Sequence, residues 1–165
     1  EVVMKVLVVD PLKCTGCKLC ELACSFEKTG KFNLVDSRIK LNFFPKVLRF
    51  VPTVCMQCRE AYCIQVCPTG ALGRDRETGV VNLDENRCIG CKQCIVACPW
   101  GSVKLDHAGE KVIKCDNCEG DPACVKVCTP GALQFLDADE VVLSKQVETA
   151  EKYKKIAEEM SMGVV

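Results

Sequence analysis

The chain has 165 residues, of which 48% are hydrophobic, only 5% are aromatic and 16 are Cys. Leaving out those Cys, the apolar share falls to about 38%, thin for a chain that must bury a core unaided, so disulfides or metals should help to hold it. Balanced charge, 22 basic against 22 acidic residues for a net +0, leaves no footprint for nucleic acid and argues against charge-driven disorder, and no run of about 18 apolar residues offers a membrane span.

In chain order, a β-branched run over residues 2–9 predicts a first strand. The first cysteine set follows: Cys14, Cys17, Cys20 and Cys24, spaced C-x2-C-x2-C-x3-C. Ser25 and Phe26 stand where a Pro would stop a helix, so a helix begun in this set is free to run on. Residues 26–54 are an extra stretch in which 39–43 and 47–51, around Pro45, read as a hairpin. Set two is Cys55, Cys58, Cys63 and Cys67, spaced C-x2-C-x4-C-x3-C, with Pro68 to end its helix. Residues 80–83 predict a strand before set three, Cys88, Cys91, Cys94 and Cys98, which repeats the spacing of set one and is followed by Pro99. Residues 103–105 and 112–113 predict strands about a turn at 107–110. Set four is Cys115, Cys118, Cys124 and Cys128, spaced C-x2-C-x5-C-x3-C, with Pro130 two places on. Residues 144–160 turn helical, with Val147, Ala150, Tyr153, Ile156, Ala157 and Met160 on one stripe and Gly163 as the cap. That stripe either packs on its own domain or docks onto a partner subunit.

The sets repeat in an A-B-A-B order that suggests duplication. Lys13-Cys14-Thr15-Gly16-Cys17-Lys18 parallels Arg87-Cys88-Ile89-Gly90-Cys91-Lys92, and the stretch 63–72 parallels 124–133 with Pro and Thr exchanged. Disulfides would require an oxidising compartment, and no export signal is visible. Zinc sites of four thiolates typically use two separated C-x2-C pairs, whereas here three thiols crowd one loop. Zinc or a three-iron cluster at one site stays open. The run C-x2-C-x2-C-x3-C-P is that of bacterial [4Fe–4S] ferredoxins, and four quartets strengthen the signal. Three thiolates must reach three corners of one small cube, so the loop must wrap it, with Gly16 and Gly90 at the tight turns.

Over residues 10–137 these quartets resemble the ferredoxin-like, four-cluster electron-transfer subunits (polyferredoxins) of molybdenum or tungsten pterin oxidoreductases. With the Cys98-Pro99-Trp100-Gly101 and 115–120 stretches, the likeness extends to the small iron–sulfur subunits of tungsten class II benzoyl-coenzyme A reductases, and next to those of tungsten aldehyde ferredoxin oxidoreductases. The resemblance implies an α+β fold of tandem bacterial-ferredoxin-like modules with short hairpins, stabilised by clusters, plus a C-terminal helix. One module would comprise 1–35 with 105–140, the other 52–104, with a hairpin insert at 36–51 and the helix at 141–165. It also implies crossed ligation by the sixteen Cys. One [4Fe–4S] cluster would take Cys14, Cys17, Cys20 and Cys128, and its neighbour Cys115, Cys118, Cys124 and Cys24. A third would take Cys55, Cys58, Cys63 and Cys98, and the fourth Cys88, Cys91, Cys94 and Cys67. Four clusters are expected, with three plus one different or empty site as the variant.

The expected function is relay of single electrons to or from a larger tungsten or molybdenum pterin subunit, with further carriers such as ferredoxin as additional partners, in the cytoplasm. Alternatives are the same role in an aldehyde oxidoreductase, formate dehydrogenase or hydrogenase complex, a free polyferredoxin, or, remotely, a zinc-held binding module. No catalytic residue is expected: the one His, His107, reads as a surface turn residue, and no phosphate loop, paired-carboxylate site or dinucleotide fingerprint occurs. Each cluster with four thiolates carries about −2 when oxidised. Lys13, Lys18, Arg59, Arg87, Lys92 and Lys114 stand beside the loops and could offset part of that charge, though each alone reads as a solvated surface residue. Trp100 and Tyr62 are expected to pack against clusters and exclude water.

Overall fold

The computed structural model describes residues 5–162; Val2, Val3 and Met4 of the first expected strand, and Gly163, lie outside them. The described chain forms eight strands, β1 (Lys5–Val9), β2 (Lys40–Phe44), β3 (Arg49–Thr53), β4 (Leu72–Arg74), β5 (Val81–Leu83), β6 (Val103–Leu105), β7 (Val112–Lys114) and β8 (Leu133–Asp137). Its helices are α1 (Leu19–Thr29), α2 (Tyr62–Gln65), α3 (Gln93–Ala97), α4 (Ala123–Lys126) and α5 (Ala138–Met162), with a 3-10 turn at Asn117–Gly120. The strands make four separate two-stranded antiparallel sheets, β1 with β8, β2 with β3, β4 with β5 and β6 with β7.

The crossing of distant sequence is set first by β1 and β8. Lys5 pairs with Asp137 and Val9 with Leu133, across more than 120 residues. Alternate side chains Leu7 and Val9 turn toward a core of Cys20, Cys24, Ile39, Val54, Cys124 and Leu133. Helix α1 packs on α4 above it, so sets one and four share one module. Sets two and three share the other. There α2 packs on α3 about a second core of Ala61, Leu72, Val81, Cys94, Val103 and Val112. The hairpin β6–β7 belongs with this core through Val103 and Val112. Each fully buried aliphatic side chain contributes on the order of 1.5–3 kcal/mol, and both cores have few of them.

Prolines decide the helix lengths. Helix α3 ends at Cys98, whose extended backbone (φ −76°, ψ 111°) precedes Pro99, and α2 ends before Cys67 and Pro68. Set one has no such stop, and α1 runs 11 residues to a left-handed cap at Gly30. The insert is a hairpin, as its pattern predicts, and the Phe43 and Phe50 rings stack with centroids 4.7 Å apart.

Among the described residues, the first half of the C-terminal stripe does not pack on its own domain. Helix α5 starts at Ala138, directly after β8, with no intervening loop to turn it back. Of its described side chains, Val142, Leu143, Val147, Ala150 and Tyr153 are exposed. Ile156, Ala157 and Met160 lie outside the described side chains.

Candidate metal-cluster sites

Each cysteine loop is bent by residues in the left-handed region. In sets one and three the pattern is the same: Gly16 and Gly90, then Lys18 and Lys92 at φ 62° and 64°, which hand the chain to α1 and α3. Gly16 has a second reason to be Gly, because a Cβ there would meet the Phe50 ring at 2.5 Å. Set two uses Gln57 (φ 46°), and set four uses Asn117, Cys118 and Glu119 in succession. Asp116 holds that last curl by accepting from the Cys118 N–H at 3.1 Å.

The sixteen sulfurs do not gather set by set. One hollow is lined by Cys14, Cys17, Cys20 and Cys128. A second is lined by Cys55, Cys58, Cys63 and Cys98, roofed by Tyr62 and Trp100, each about half exposed. A third is lined by Cys67, Cys88, Cys91 and Cys94. Cys24 lies within electrostatic reach of Cys115, Cys118 and Cys124, the remaining group. Each gathering takes three sulfurs from one set and the last sulfur of another. Among the described residues, no three His, Cys, Asp or Glu side chains converge as a single metal ion requires; the sulfurs face each other across hollows, as ligands of a larger body would.

The last cysteine of each set is met by a backbone N–H. Ser102 donates to Cys98 Sγ at 3.4 Å and Leu133 to Cys128 Sγ at 3.3 Å. Burial works against the Cys67 thiolate, yet N–H groups of Leu72, Ala71 and Thr69, with the Thr69 hydroxyl, pull its pKa below the ordinary thiol value. In these three sets a donor sits four or five residues on (Leu72 and Ala71, Ser102, Leu133), past a Cys-x-x-Gly turn in which Gly70, Gly101 and Gly131 donate to the cysteine carbonyl. Set one, where α1 runs on, instead receives the Arg38 N–H at 3.2 Å, fourteen residues along.

The first-module thiols are costly to ionise as they stand. Burial pushes Cys20 and Cys115 up to about 12, and Cys124 is pushed up further by burial and the neighbouring sulfurs. Thiolates in such places need a cation bound to them. The four gatherings also form a sequence. Cys20 acts on Cys124, Cys55 on Cys115, and Cys63 on Cys94, so each gathering has its neighbour within electrostatic reach. Between the two modules a polar clasp joins the loops: Gln57 Nε2 donates to the Cys115 carbonyl at 3.0 Å, and Gln57 Oε1 accepts from the Val81 N–H at 3.0 Å.

Several residues beyond the cysteines matter here that sequence patterns did not single out. Lys28 on α1 pairs with Asp116 at 2.8 Å and ties α1 to the set-four loop. Burial opposes both charges, but the pairing prevails, holding the Asp116 carboxyl below its usual range and raising the Lys28 amine. Asp116 and Asn117 stand inside a C-x2-C, where short polar side chains signal a capped turn; Arg38, Gln57 and Phe50 carry no local signal. His107 is a turn residue, mostly exposed as expected, but its ring Nδ1 also lies 2.9 Å from the buried Asp36, fastening the insert to the β6–β7 hairpin. A further cleft, lined among others by Arg38, Asp75, Glu85 and Phe135, has no cysteine in its lining.

A model of the 4Fe-4S dicluster domain matches residues 46–138, and one of the 4Fe-4S binding domain matches residues 7–27. The chain is 40% identical over 123 residues to the polyferredoxin-like subunit of an aliphatic sulfonate oxidoreductase from Pyrococcus furiosus, covering 74% of this chain and 70% of that one. It is 39% identical over 132 residues to the beta subunit of the NADH-dependent phenylglyoxylate dehydrogenase of Aromatoleum evansii, covering 79% of this chain but only 30% of that subunit's length. In fold it is similar to a chain in the active site complex BamBC of benzoyl coenzyme A reductase, with TM-score 0.51 and 24% identity over 94% of this chain and 98% of that one.

Proposed function

The chain belongs to the family of 4Fe-4S dicluster ferredoxin domains, and from that premise we propose that it is a four-cluster electron-transfer subunit serving a separate catalytic subunit. The observation that carries the reading is the assembly of four cysteine gatherings, each from two sets. Cys14, Cys17, Cys20 and Cys128 hold the first cluster, and Cys115, Cys118, Cys124 and Cys24 the second. Cys55, Cys58, Cys63 and Cys98 hold the third, and Cys88, Cys91, Cys94 and Cys67 the fourth. The modules divide accordingly, with the β6–β7 hairpin assigned to the inserted one. When bound, such clusters supply one-electron redox steps.

The chain's own residues bind, insulate and tune. Backbone N–H groups of Arg38, Ser102 and Leu133 offset charge on the crossing sulfurs, and Trp100 and Tyr62 limit water at the third site. The catalytic partner we propose is a larger tungsten or molybdenum pterin subunit in an anaerobic, cytoplasmic enzyme, with benzoyl-coenzyme A reduction as the favoured reaction. Protein purified without oxygen should be brown, hold about sixteen irons and as many sulfides (four sites of four), and bleach with dithionite. Colourless protein with stoichiometric zinc refutes the reading. Untagged protein from its source should travel with a larger pterin-containing subunit; a lone monomer at physiological salt refutes the subunit role and leaves a free carrier.

A further inference from the structure

Six basic residues stand beside the cysteine loops, and the structure separates them sharply. Lys13, Lys18, Arg59, Arg87 and Lys92 are exposed, whereas Lys114 is only 5% exposed. Lys114 closes β7 immediately before Cys115. Its ammonium donates to the carbonyl oxygens of Val81 at 2.6 Å and Cys115 at 2.7 Å, and lies 3.3 Å from Gln57 Oε1. Its three N–H groups are thus satisfied by neutral oxygens, and among the described residues no carboxylate lies within ion-pair distance of it.

A buried ammonium satisfied only by dipoles still has an uncompensated charge, and burying one is costly unless an anion is near. Its surroundings point to where the anions belong. Lys114 lines the hollow of Cys55, Cys58, Cys63 and Cys98, and its own carbonyl continues into Cys115 of the neighbouring gathering. Gln57, from the set-two loop, touches both the ammonium and the Cys115 carbonyl. The ammonium therefore sits in the seam between the modules, beside two sites of net negative charge once loaded.

We propose that Lys114 is the internal counter-cation shared by the second and third clusters, the two that face each other across the module seam, and that it sets their reduction potentials together and apart from those of the outer two. The proposal rests on the four gatherings being cluster sites. A cation stabilises the reduced, more negative form, so it raises both potentials. It favours an electron resting on either side of the seam over the outer two sites, and leaves the difference between the two seam sites little changed. The exposed lysines and arginines at the outer loops act through water and salt and do this weakly.

The experiment is an anaerobic redox titration of the full chain, followed by electron paramagnetic resonance, for wild type, Lys114→Gln, Lys114→Arg and Gln57→Glu. Lys114→Gln keeps a donor and removes the charge. Gln57→Glu keeps the lysine and places a carboxylate beside it. Iron content of the wild type is measured first, and fewer than about twelve irons would count against the cluster reading itself. With four clusters present, Lys114→Gln should lower two midpoint potentials, leave the other two in place, and Lys114→Arg should restore them. Four unmoved potentials, or a shift confined to the outer pair, overturn the proposal. If Lys114→Gln does not load its clusters, Gln57→Glu decides: the same two potentials moving down sustains the shared role, and no movement overturns it.

Discussion

Removing the Cys98 sulfur separates crossed from local ligation. Cys98 is four residues from Cys94 on the chain, yet its sulfur lines the hollow of Cys55, Cys58 and Cys63, held by the Ser102 N–H at 3.4 Å, while the Ser102 hydroxyl donates to the Val54 carbonyl ahead of set two at 3.0 Å. Cys98→Ala should therefore empty one cluster and take iron from about sixteen to about twelve per chain. A single variant does not say which cluster is lost, but a pair does, because substitutions at one shared site do not add while those at separate sites do. Cys98→Ala with Cys58→Ala should again leave about twelve irons. Cys98→Ala with Cys91→Ala should leave about eight. The assay is iron and sulfide analysis on anaerobically purified protein, checked by spin quantitation after reduction. If the two double variants exchange places, so that pairing with Cys91 costs one cluster and pairing with Cys58 costs two, the crossed assignment is wrong.

Leu72, 2% exposed in the second core, should lose about 2–5 kcal/mol on Leu72→Ala, read by anaerobic chemical denaturation of loaded protein; a loss below about 1 kcal/mol would mean that clusters alone carry that module. Gly16→Ala and Gly90→Ala share a left-handed backbone, at about 1–2 kcal/mol each, but only Gly16 has the Phe50 ring against it. Gly16→Ala should thus also weaken the first site, Phe50→Ala should relieve it, and equal iron retention in the two glycine variants would refute the contact. The Lys28–Asp116 pair predicts an acid limb. A carboxyl whose folded pKa is depressed adds stability that is complete above its unfolded value of about 3.9 and is lost as pH falls through the folded value. Asp116→Asn should flatten that limb in denaturation measured against pH, and an unchanged profile would exclude the pair as its source.

What could be read in the chain is what local spacing records. The quartets, the insert hairpin, the β6–β7 hairpin and the longer α1 all follow from cysteine intervals, β-branched runs and the presence or absence of a Pro within a few residues. Strands β4 and β8 went unread because Leu72–Arg74 and Leu133–Asp137 follow cysteine turns directly; β8 becomes a strand by pairing with β1 at the other end of the chain. The gathering of sulfurs across sets is likewise long-range and entered through the family resemblance. Lys114 looked no different from Lys92 in sequence, since both flank a cysteine loop. One ends a strand with every residue buried, the other caps a helix at the surface.

The cores and the metal sites are the same parts of the molecule. Cys20, Cys24 and Cys124 make up half of the buried residues of the first core, and Cys94 belongs to the second. The sheets around them are two-stranded and three to five residues long, marginal in water on their own. The same burial that makes those sulfurs core residues pushes Cys20 and Cys115 up to about 12, so at neutral pH iron must displace protons from them to bind. Before that exchange, the N–H groups of Arg38, Ser102 and Leu133 face thiols, which are weak acceptors; afterwards they face thiolates and the bonds strengthen. Packing, hydrogen bonding and charge therefore improve together on loading. Because every gathering borrows its fourth sulfur from another set, loading also closes long sequence loops between sets one and four, from Cys20 to Cys128 and from Cys24 to Cys115. Cluster assembly in this chain thus does the work that a larger apolar core does elsewhere, and it couples each electron-carrying site to the folding of its module.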